Sequence, residues 1–315
     1  MLAAMNGNSK RDFLEKYGIF IGFLAIFTLF SITCPGFFST NNIFNLVVQS
    51  SIIGLIAIGE TVVITTGGID LSVGSLVAFV GVSLGLMLAS GMSIAMAVIL
   101  SLLLGAVIGL LSGIIISYGN VPAFIMTLGM MSIARGGALA LNGGRPISGL
   151  PSGFDKIATA DILGIPIFIF YVVVAYGIMY LVLNKMKLGR YIYAIGDNRE
   201  AARLSGIEVK KIQTTAYIFS GFFAAVGAVM LTARLNYATP LAGKGFELDA
   251  IASTVIGGTA LSGGKGNITG TLVGALMLGT LRNGLTLLNV SSFYQQIVIG
   301  IVIIIAVYID KLKEE

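Results

Sequence analysis

Long apolar stretches separated by short polar connections recur along the whole 315-residue chain. A helix needs about 20 apolar residues to cross about 30 Å of hydrocarbon, and several stretches reach that length. The pattern predicts an all-α fold, a polytopic transmembrane helix bundle of about ten spans, with one or two short spans that are broken or re-entrant. The predicted spans are 17–34, 43–64, 75–90, 93–118, 123–141, 164–184, 212–233, 248–262, 269–288 and 293–310.

Composition supports a membrane protein and argues against an enzyme. Hydrophobic residues make up 56% of the chain and charged residues 10%, whereas a soluble domain carries about 25% charged residues. The only cysteine is Cys34, which excludes an internal disulfide, and there is no histidine to act as a base or a metal ligand. We therefore expect no catalytic residue, no metal and no cofactor.

Lysine and arginine are concentrated between the sixth and seventh predicted spans. The segment 185–211 contains seven of them, the N-terminal tail three and the C-terminal tail two. Basic connections stay in the cytoplasm, so we expect a cytoplasmic tail 1–16, a membrane domain 17–310 with a cytoplasmic loop 185–211, and a cytoplasmic tail 311–315. The connection 142–163 then lies outside. We attribute the net charge of +5 to the orientation of the chain in the membrane, and we do not take it as a sign of nucleic-acid binding.

A polar, glycine-rich segment interrupts the apolar pattern at 65–74. A broken helix inside a membrane is tolerated where protein or a water-filled cavity surrounds it, and ionisable residues at that depth usually face the bundle interior. The alternative is a tight turn in which Asp70 caps the next helix. Arg282, in the ninth span, is a further ionisable residue inside an apolar stretch. The residues assigned to a translocation pathway are Glu60, Gly68, Asp70, Ser72 and Arg135.

A second glycine-rich segment follows a similar sequence. Residues 57–62 read AIGETV and residues 250–255 read AIASTV, and glycine, leucine and serine recur at matching positions after each. The similarity is typical of internal duplication in transporters, although chance in a chain rich in glycine and alanine is an alternative. The segment 258–266 departs twice from the phosphate-binding loop pattern, so we expect no ATP binding there, and any energy from ATP must come from another polypeptide.

The loop 185–211 carries the most specific motif. Glu200, Ala201, Ala202 and Gly206 fit E-A-A-x-x-x-G, a pattern similar to the coupling loop of permeases in ATP-driven importers. Asn198 is suited to begin a short helix there and Gly206 to end it. The alternative is an ordinary amphipathic helix. The residues predicted to couple the chain to an ATPase are Asn198, Glu200, Ala201, Ala202, Leu204 and Gly206.

From about Phe37 to its end, the chain resembles the monosaccharide permease family of bacterial ABC transporters. The resemblance rests on segments such as GIDLSVGS at 68–75, LGRYIYA at 188–194 and FELDAIA at 246–252. It implies a homodimeric permease for a sugar, with ribose as the expected one, in the bacterial inner membrane. It also implies a cytoplasmic ATPase and a periplasmic or extracellular sugar-binding protein as partners, besides membrane lipid. The alternative is an ion-coupled secondary transporter in which Glu60 or Asp70 carries a proton.

Overall fold

The structure, a computed structural model, describes residues 2–314, with side chains at 18–305, 307 and 308. It is almost entirely helical, which confirms the predicted fold class. One two-stranded hairpin interrupts the helices. The elements are α1 Leu2–Thr33, α2 Thr40–Thr65, α3 Val73–Ala89, α4 Ile94–Gly119, α5 Ala123–Leu141, α6 Lys156–Thr159, β1 Asp161–Ile162, β2 Ile165–Pro166, α7 Ile167–Lys185, α8 Lys187–Asp197, α9 Arg199–Leu204, α10 Val209–Leu235, α11 Phe246–Ile256, α12 Ile268–Leu287 and α13 Ser292–Glu314.

Each predicted span corresponds to a helix, but some bounds differ. α1 begins at Leu2, well before the predicted start of the first span, and α11 ends at Ile256, six residues before the predicted end of the eighth. By length and composition, α2, α4, α5, α7 and α10 are able to cross a membrane, and shorter apolar helices lie at Gly18–Thr33, Val73–Ala89 and Ser292–Ile305. The total of ten crossings stays a prediction.

α2 and α10 form the centre of the bundle. Inside the protein, 78% of the apolar span of α2 and 72% of that of α10 are buried, against 22% to 28% for α4, α5 and α7. The outer helices expose large apolar side chains such as Leu103, Ile133 and Val173. An apolar exposed surface of this kind suits lipid or another membrane subunit.

Small residues bring α4 against α10. The spacing of Gly105, Gly109 and Gly113 predicts one helix face for close packing, and a Cβ at any of these glycines would meet the backbone of α10. Close approach of this kind stabilises helix pairs where lipid removes the hydrophobic driving force between them.

The connections fall into two groups at opposite ends of the bundle. At one end, the Gly264 N–H donates to the Thr65 carbonyl at 3.0 Å, which joins the α11–α12 connection to the end of α2. At the other end, Ile147 and Ala238 pair as an isolated antiparallel bridge between the α5–α6 and α10–α11 connections. The first group consists of connections predicted to be cytoplasmic and the second of connections predicted to be external.

Candidate functional site

The basic loop 185–211 folds into two helices, α8 and α9. α8 is strongly amphipathic and buries Ile192 and Ile195 against the bundle. A Cβ at Gly189 would meet the backbone of Leu183, so α8 turns sharply away from the end of α7. The loop therefore packs against the membrane domain and is not an extended, unpacked connection.

α9 begins and ends as its sequence predicts. The Ala201 N–H donates to the Asn198 side-chain oxygen at 2.9 Å, the bond of an N-cap. At the other end Gly206 has φ of 83°, and Ile207 and Gly206 donate backbone bonds to Ala202 and Arg203 at 3.1 and 3.0 Å. These bonds form a Schellman motif, which requires the left-handed conformation that glycine adopts without strain. The six-residue helix is thus defined at both ends.

Ala202, one of the residues predicted to couple the chain to an ATPase, faces the interior of the loop. Ala202 is 4% exposed and packs with Ile195 and Val209 inside the loop. Because α9 is a single short helix, burying Ala202 turns Ala201 and Leu204 outward, and Leu204 is 73% exposed. The surface available to a partner is therefore an apolar patch centred on Leu204.

A surface ion pair flanks this patch. The Arg203 guanidinium donates two hydrogen bonds to the Glu200 carboxylate, one turn apart on α9. These bonds hold the pKa of Glu200 below its usual value, so Glu200 is charged at neutral pH. Leu204 thus sits beside both a cation and an anion.

α9 is tied to the transmembrane core through Arg199. Its Nη2 donates to the Gln213 Oε1 of α10 at 2.9 Å, and Ser117 of α4 donates to the same oxygen at 3.3 Å. Gln213 is 5% exposed, so these bonds are shielded from water and lie where the close pair of α4 and α10 begins. Displacing α9 must strain this contact.

A second connection joins α8 to two helix breaks. We call residues 66–72, between α2 and α3, the first break, and residues 257–267, between α11 and α12, the second break. A Cβ at Gly196 would meet the Thr65 carbonyl and the Gly264 amide, and the Tyr193 hydroxyl donates to the Gly266 carbonyl at 3.1 Å. The end of α8 therefore packs between the last residue of α2 and the second break.

The first break is more than a tight turn between neighbouring helices. After Thr65 the chain turns back into the bundle, and the Asp70 N–H donates to the Glu60 carboxylate of α2 at 3.0 Å. α3 begins only at Val73, level with the interior of α2. Its N-cap is Ser72, not Asp70 as the turn alternative predicts. The break therefore lies deep inside the protein.

Asp70 holds this break in place. Its Oδ1 accepts from the Ser72 N–H and hydroxyl at 2.9 and 2.6 Å, and its Oδ2 accepts from the Ser220 hydroxyl of α10 at 2.7 Å. Glu60 is fully buried nearby, and its Oε2 has no hydrogen-bond partner among the described residues, nor has the Tyr217 hydroxyl. Four of the predicted pathway residues, Glu60, Gly68, Asp70 and Ser72, therefore cluster around α10, yet all four are enclosed.

Arg135 lies apart from this cluster. Its Nη1 donates to the carbonyls of Pro240 and Ala242 at 2.7 and 2.8 Å, and its Nη2 donates to the Gly74 carbonyl at 3.4 Å. These bonds fasten the α10–α11 connection to α5 and the start of α3. The prediction grouped Arg135 with residues that the structure does not bring near it.

Sequence reasoning missed several polar residues in the core. Ser220 and Tyr217 stand within an apolar span without a distinctive motif. Asp249 had a clearer signal, because it lies in the span before Arg282 and carries the opposite charge. The Arg282 Nη2 donates to the Asp249 Oδ1 at 2.7 Å, and Asp249 is 2% exposed.

Helices broken deep inside an apolar bundle are typical of membrane transporters. The chain belongs to the family described as branched-chain amino acid transport system / permease component, whose model matches residues 42–307. It is 47% identical to the ribose import permease of Bacillus subtilis over 95% of this chain and 94% of that protein.

Other relatives are similar over nearly their whole length. The ribose import permease of Escherichia coli K12 is 44% identical, with 93% of each chain covered, and the D-allose transport system permease of that strain is 40% identical, with 95% of this chain and 93% of the relative covered. No solved structure matches the chain. The chain is a transport permease component, which confirms the expected class and distinguishes it from an enzyme.

Proposed function

We propose that this chain is the membrane-spanning subunit of an ATP-driven importer of ribose or a closely similar sugar. A second copy of the chain completes the pathway, a cytoplasmic ATPase drives it, and a binding protein outside the membrane delivers the sugar. The observation that carries the proposal is full-length similarity to ribose import permeases, 47% and 44% identical.

A sugar suits the chain better than a branched-chain amino acid, although the family description names the latter. Identity falls from 47% for a ribose permease to 40% for a D-allose permease and 33% for an L-arabinose permease. This order favours ribose among the sugars.

The ATPase docks on the exposed face of α9. Leu204 supplies the apolar centre of this face, and Ala201 allows close approach beside it. The Glu200–Arg203 pair supplies polar groups at the rim. Protein interfaces commonly have such an apolar centre with a polar border. Ala202, Asn198 and Gly206 contribute by fixing the shape of α9.

Movement of the docked ATPase reaches the pathway by two routes. One runs from Arg199 through Gln213 to α10, and the other from Gly196 to the end of α2 and the second break. Packed interfaces transmit small displacements as rigid-body shifts, so a movement of α9 shifts α10 and the breaks together.

The proposed orientation follows the distribution of basic residues. Loop 185–211 and both ends of the chain face the cytoplasm, and the bundle sits in the bacterial inner membrane, with lipid around its apolar surface. In this orientation α9 lies on the cytoplasmic side of the membrane, where the ATPase binds ATP.

Reconstitution in proteoliposomes tests the proposal. The chain together with its ATPase and ribose-binding protein should accumulate ribose only when ATP is present, and vanadate should stop the uptake. The purified chain alone should hydrolyse no ATP. Uptake without the ATPase, driven by a proton or sodium gradient, would establish the ion-coupled alternative instead.

A further inference from the structure

A cavity of about 370 Å³ lies between α2, α10, α11 and α12, near the end of the bundle predicted to face outward. Small-molecule sites have volumes of about 300–1,000 Å³ and combine apolar walls with a few polar groups. Most of its wall is apolar, made of aliphatic side chains and one aromatic ring. The residues on which the inference depends are Gln49, Ser50, Arg234, Phe246, Asp249 and Arg282.

Several polar groups of this cavity lack a partner. Arg282 donates one bond from Nη2 to Asp249, but its buried Nε has no hydrogen-bond partner among the described residues. Ser50 is 2% exposed, and its hydroxyl also has no hydrogen-bond partner among the described residues. Buried donors left unpaired are costly, so both groups have bonding capacity for a solute.

Arg234 adds a second guanidinium that no described residue pairs with. Unlike Arg282, it has no carboxylate partner, and it lines the cavity from the end of α10. The cavity thus offers donors from two arginines, an acceptor from Asp249, and a serine hydroxyl able to do both. Neighbouring hydroxyls of a sugar can each donate and accept a hydrogen bond, so they can bond to both the donors and the acceptors of this cavity.

We propose that this cavity is a sugar-hydroxyl subsite within the permease itself. Asp249, Arg282, Arg234 and Ser50 bind the hydroxyls of a neutral sugar released by the binding protein, and the apolar wall with Phe246 receives its carbon face. The inference rests on the proposed function and adds to it a selection step in the membrane subunit.

Arg234 is the sharpest site for a test, because replacing it breaks no bond among the described residues. Uptake is measured in proteoliposomes with the same sugar-binding protein for every variant. R234Q and S50A should each lower ATP-driven ribose uptake by about three- to tenfold, because each variant loses one or two hydrogen bonds to the sugar. The ratio of ribose to xylose uptake should also change. The matched control is R145Q, which removes an exposed arginine from the α5–α6 connection and should leave both quantities unchanged.

A labelling experiment on the permease alone keeps the inference testable if the uptake variants fold poorly. In a Cys34→Ala background, Gln49→Cys introduces one thiol at the cavity. Ribose should slow its reaction with a small maleimide, and sodium ribonate at the same concentration should do so less.

The outcomes separate the two proposals. Unchanged uptake and selectivity in R234Q and S50A, with an active wild type, would overturn the subsite alone. Stronger protection by ribonate than by ribose would also overturn it, since the cavity would then select anions. A wild-type complex without ATP-dependent uptake would overturn the proposed function as well.

Discussion

The first and second helix breaks follow similar sequences but lie in different surroundings. Each comes after a helix with the pattern A-I-x-x-T-V and contains a glycine pair. Asp70, in the first break, is 1% exposed and accepts a bond from Ser220 of α10, whereas in the second break Lys265 and Asn267 are exposed. The helix therefore ends shortly after the motif in both places, while the packing around each break determines what that break contacts.

The two breaks also differ in what stabilises them. A carboxylate in the protein interior fixes the first break, while the second is closed by a surface cap in which the Gly270 N–H donates to Asn267 Oδ1 at 2.9 Å. The end of α8 contacts the second break directly and the first only through Thr65, the residue that precedes it. We therefore expect a displacement of the basic loop to affect both breaks.

The largest expected effect distinguishes the two kinds of stabilisation. Asp70→Ala leaves three donors without an acceptor, two on Ser72 and one on Ser220, and should lower the free energy of unfolding by about 2–5 kcal/mol. Asn267→Ala removes a helix cap and one exposed bond from the Thr269 hydroxyl, and should cost about 1 kcal/mol. Thermal unfolding in detergent measures both, and equal losses would contradict the contrast between the breaks.

Adding one methyl group at Gly196 tests how closely the end of α8 packs against Thr65 and Gly264. Gly196→Ala forces a Cβ against the backbone of Thr65 and Gly264, and should cost about 1–3 kcal/mol and abolish most uptake. Gly177→Ala is the matched control, because a Cβ there meets no atom within 4 Å. It should be neutral or stabilising by up to about 1 kcal/mol. Full uptake in Gly196→Ala would show that the contact transmits nothing.

The exposed face of α9 should affect coupling without affecting stability. Leu204→Asp places a charge at the proposed docking centre and should reduce sugar-stimulated ATP hydrolysis by about tenfold, because desolvating it is unfavourable. Ala202→Leu, on the buried face, should instead lower the melting temperature. Normal coupling in Leu204→Asp, at matched protein levels, would remove this face from the interface.

The smallest expected effect concerns the surface ion pair. Hydrogen bonds from Arg203 lower the pKa of Glu200, so its contribution to stability is present at neutral pH and disappears as the pH falls through the lowered value. Because the pair is exposed, Glu200→Gln should change the melting temperature only slightly at pH 7, and by less at pH 3. If Glu200→Gln changed the melting temperature more at pH 3 than at pH 7, the predicted direction of this pH dependence would be contradicted.

Much of this architecture is predictable from local patterns. Apolar length predicts the helices, and Asn198 and Gly206 mark the ends of α9 because a cap depends on its immediate neighbours. The direction in which Ala202 points was not predictable, since Ile195 and Val209 decide it. Asp70 was recognised as unusual, but its partner Ser220 lies 150 residues away. Such distant contacts leave no trace in a single sequence.

The central claim is that the exposed face of α9 meets a separate ATPase in the cytoplasm. Cys34 is the only cysteine and is buried, so Leu204→Cys in a Cys34→Ala chain provides one accessible thiol. The decisive measurement is the rate at which a maleimide labels this thiol in inside-out vesicles, with and without the bound ATPase. We expect the ATPase to slow labelling at least about tenfold, as a buried interface centre excludes water. Equal rates, or labelling of intact cells by an impermeant reagent, would contradict the claim.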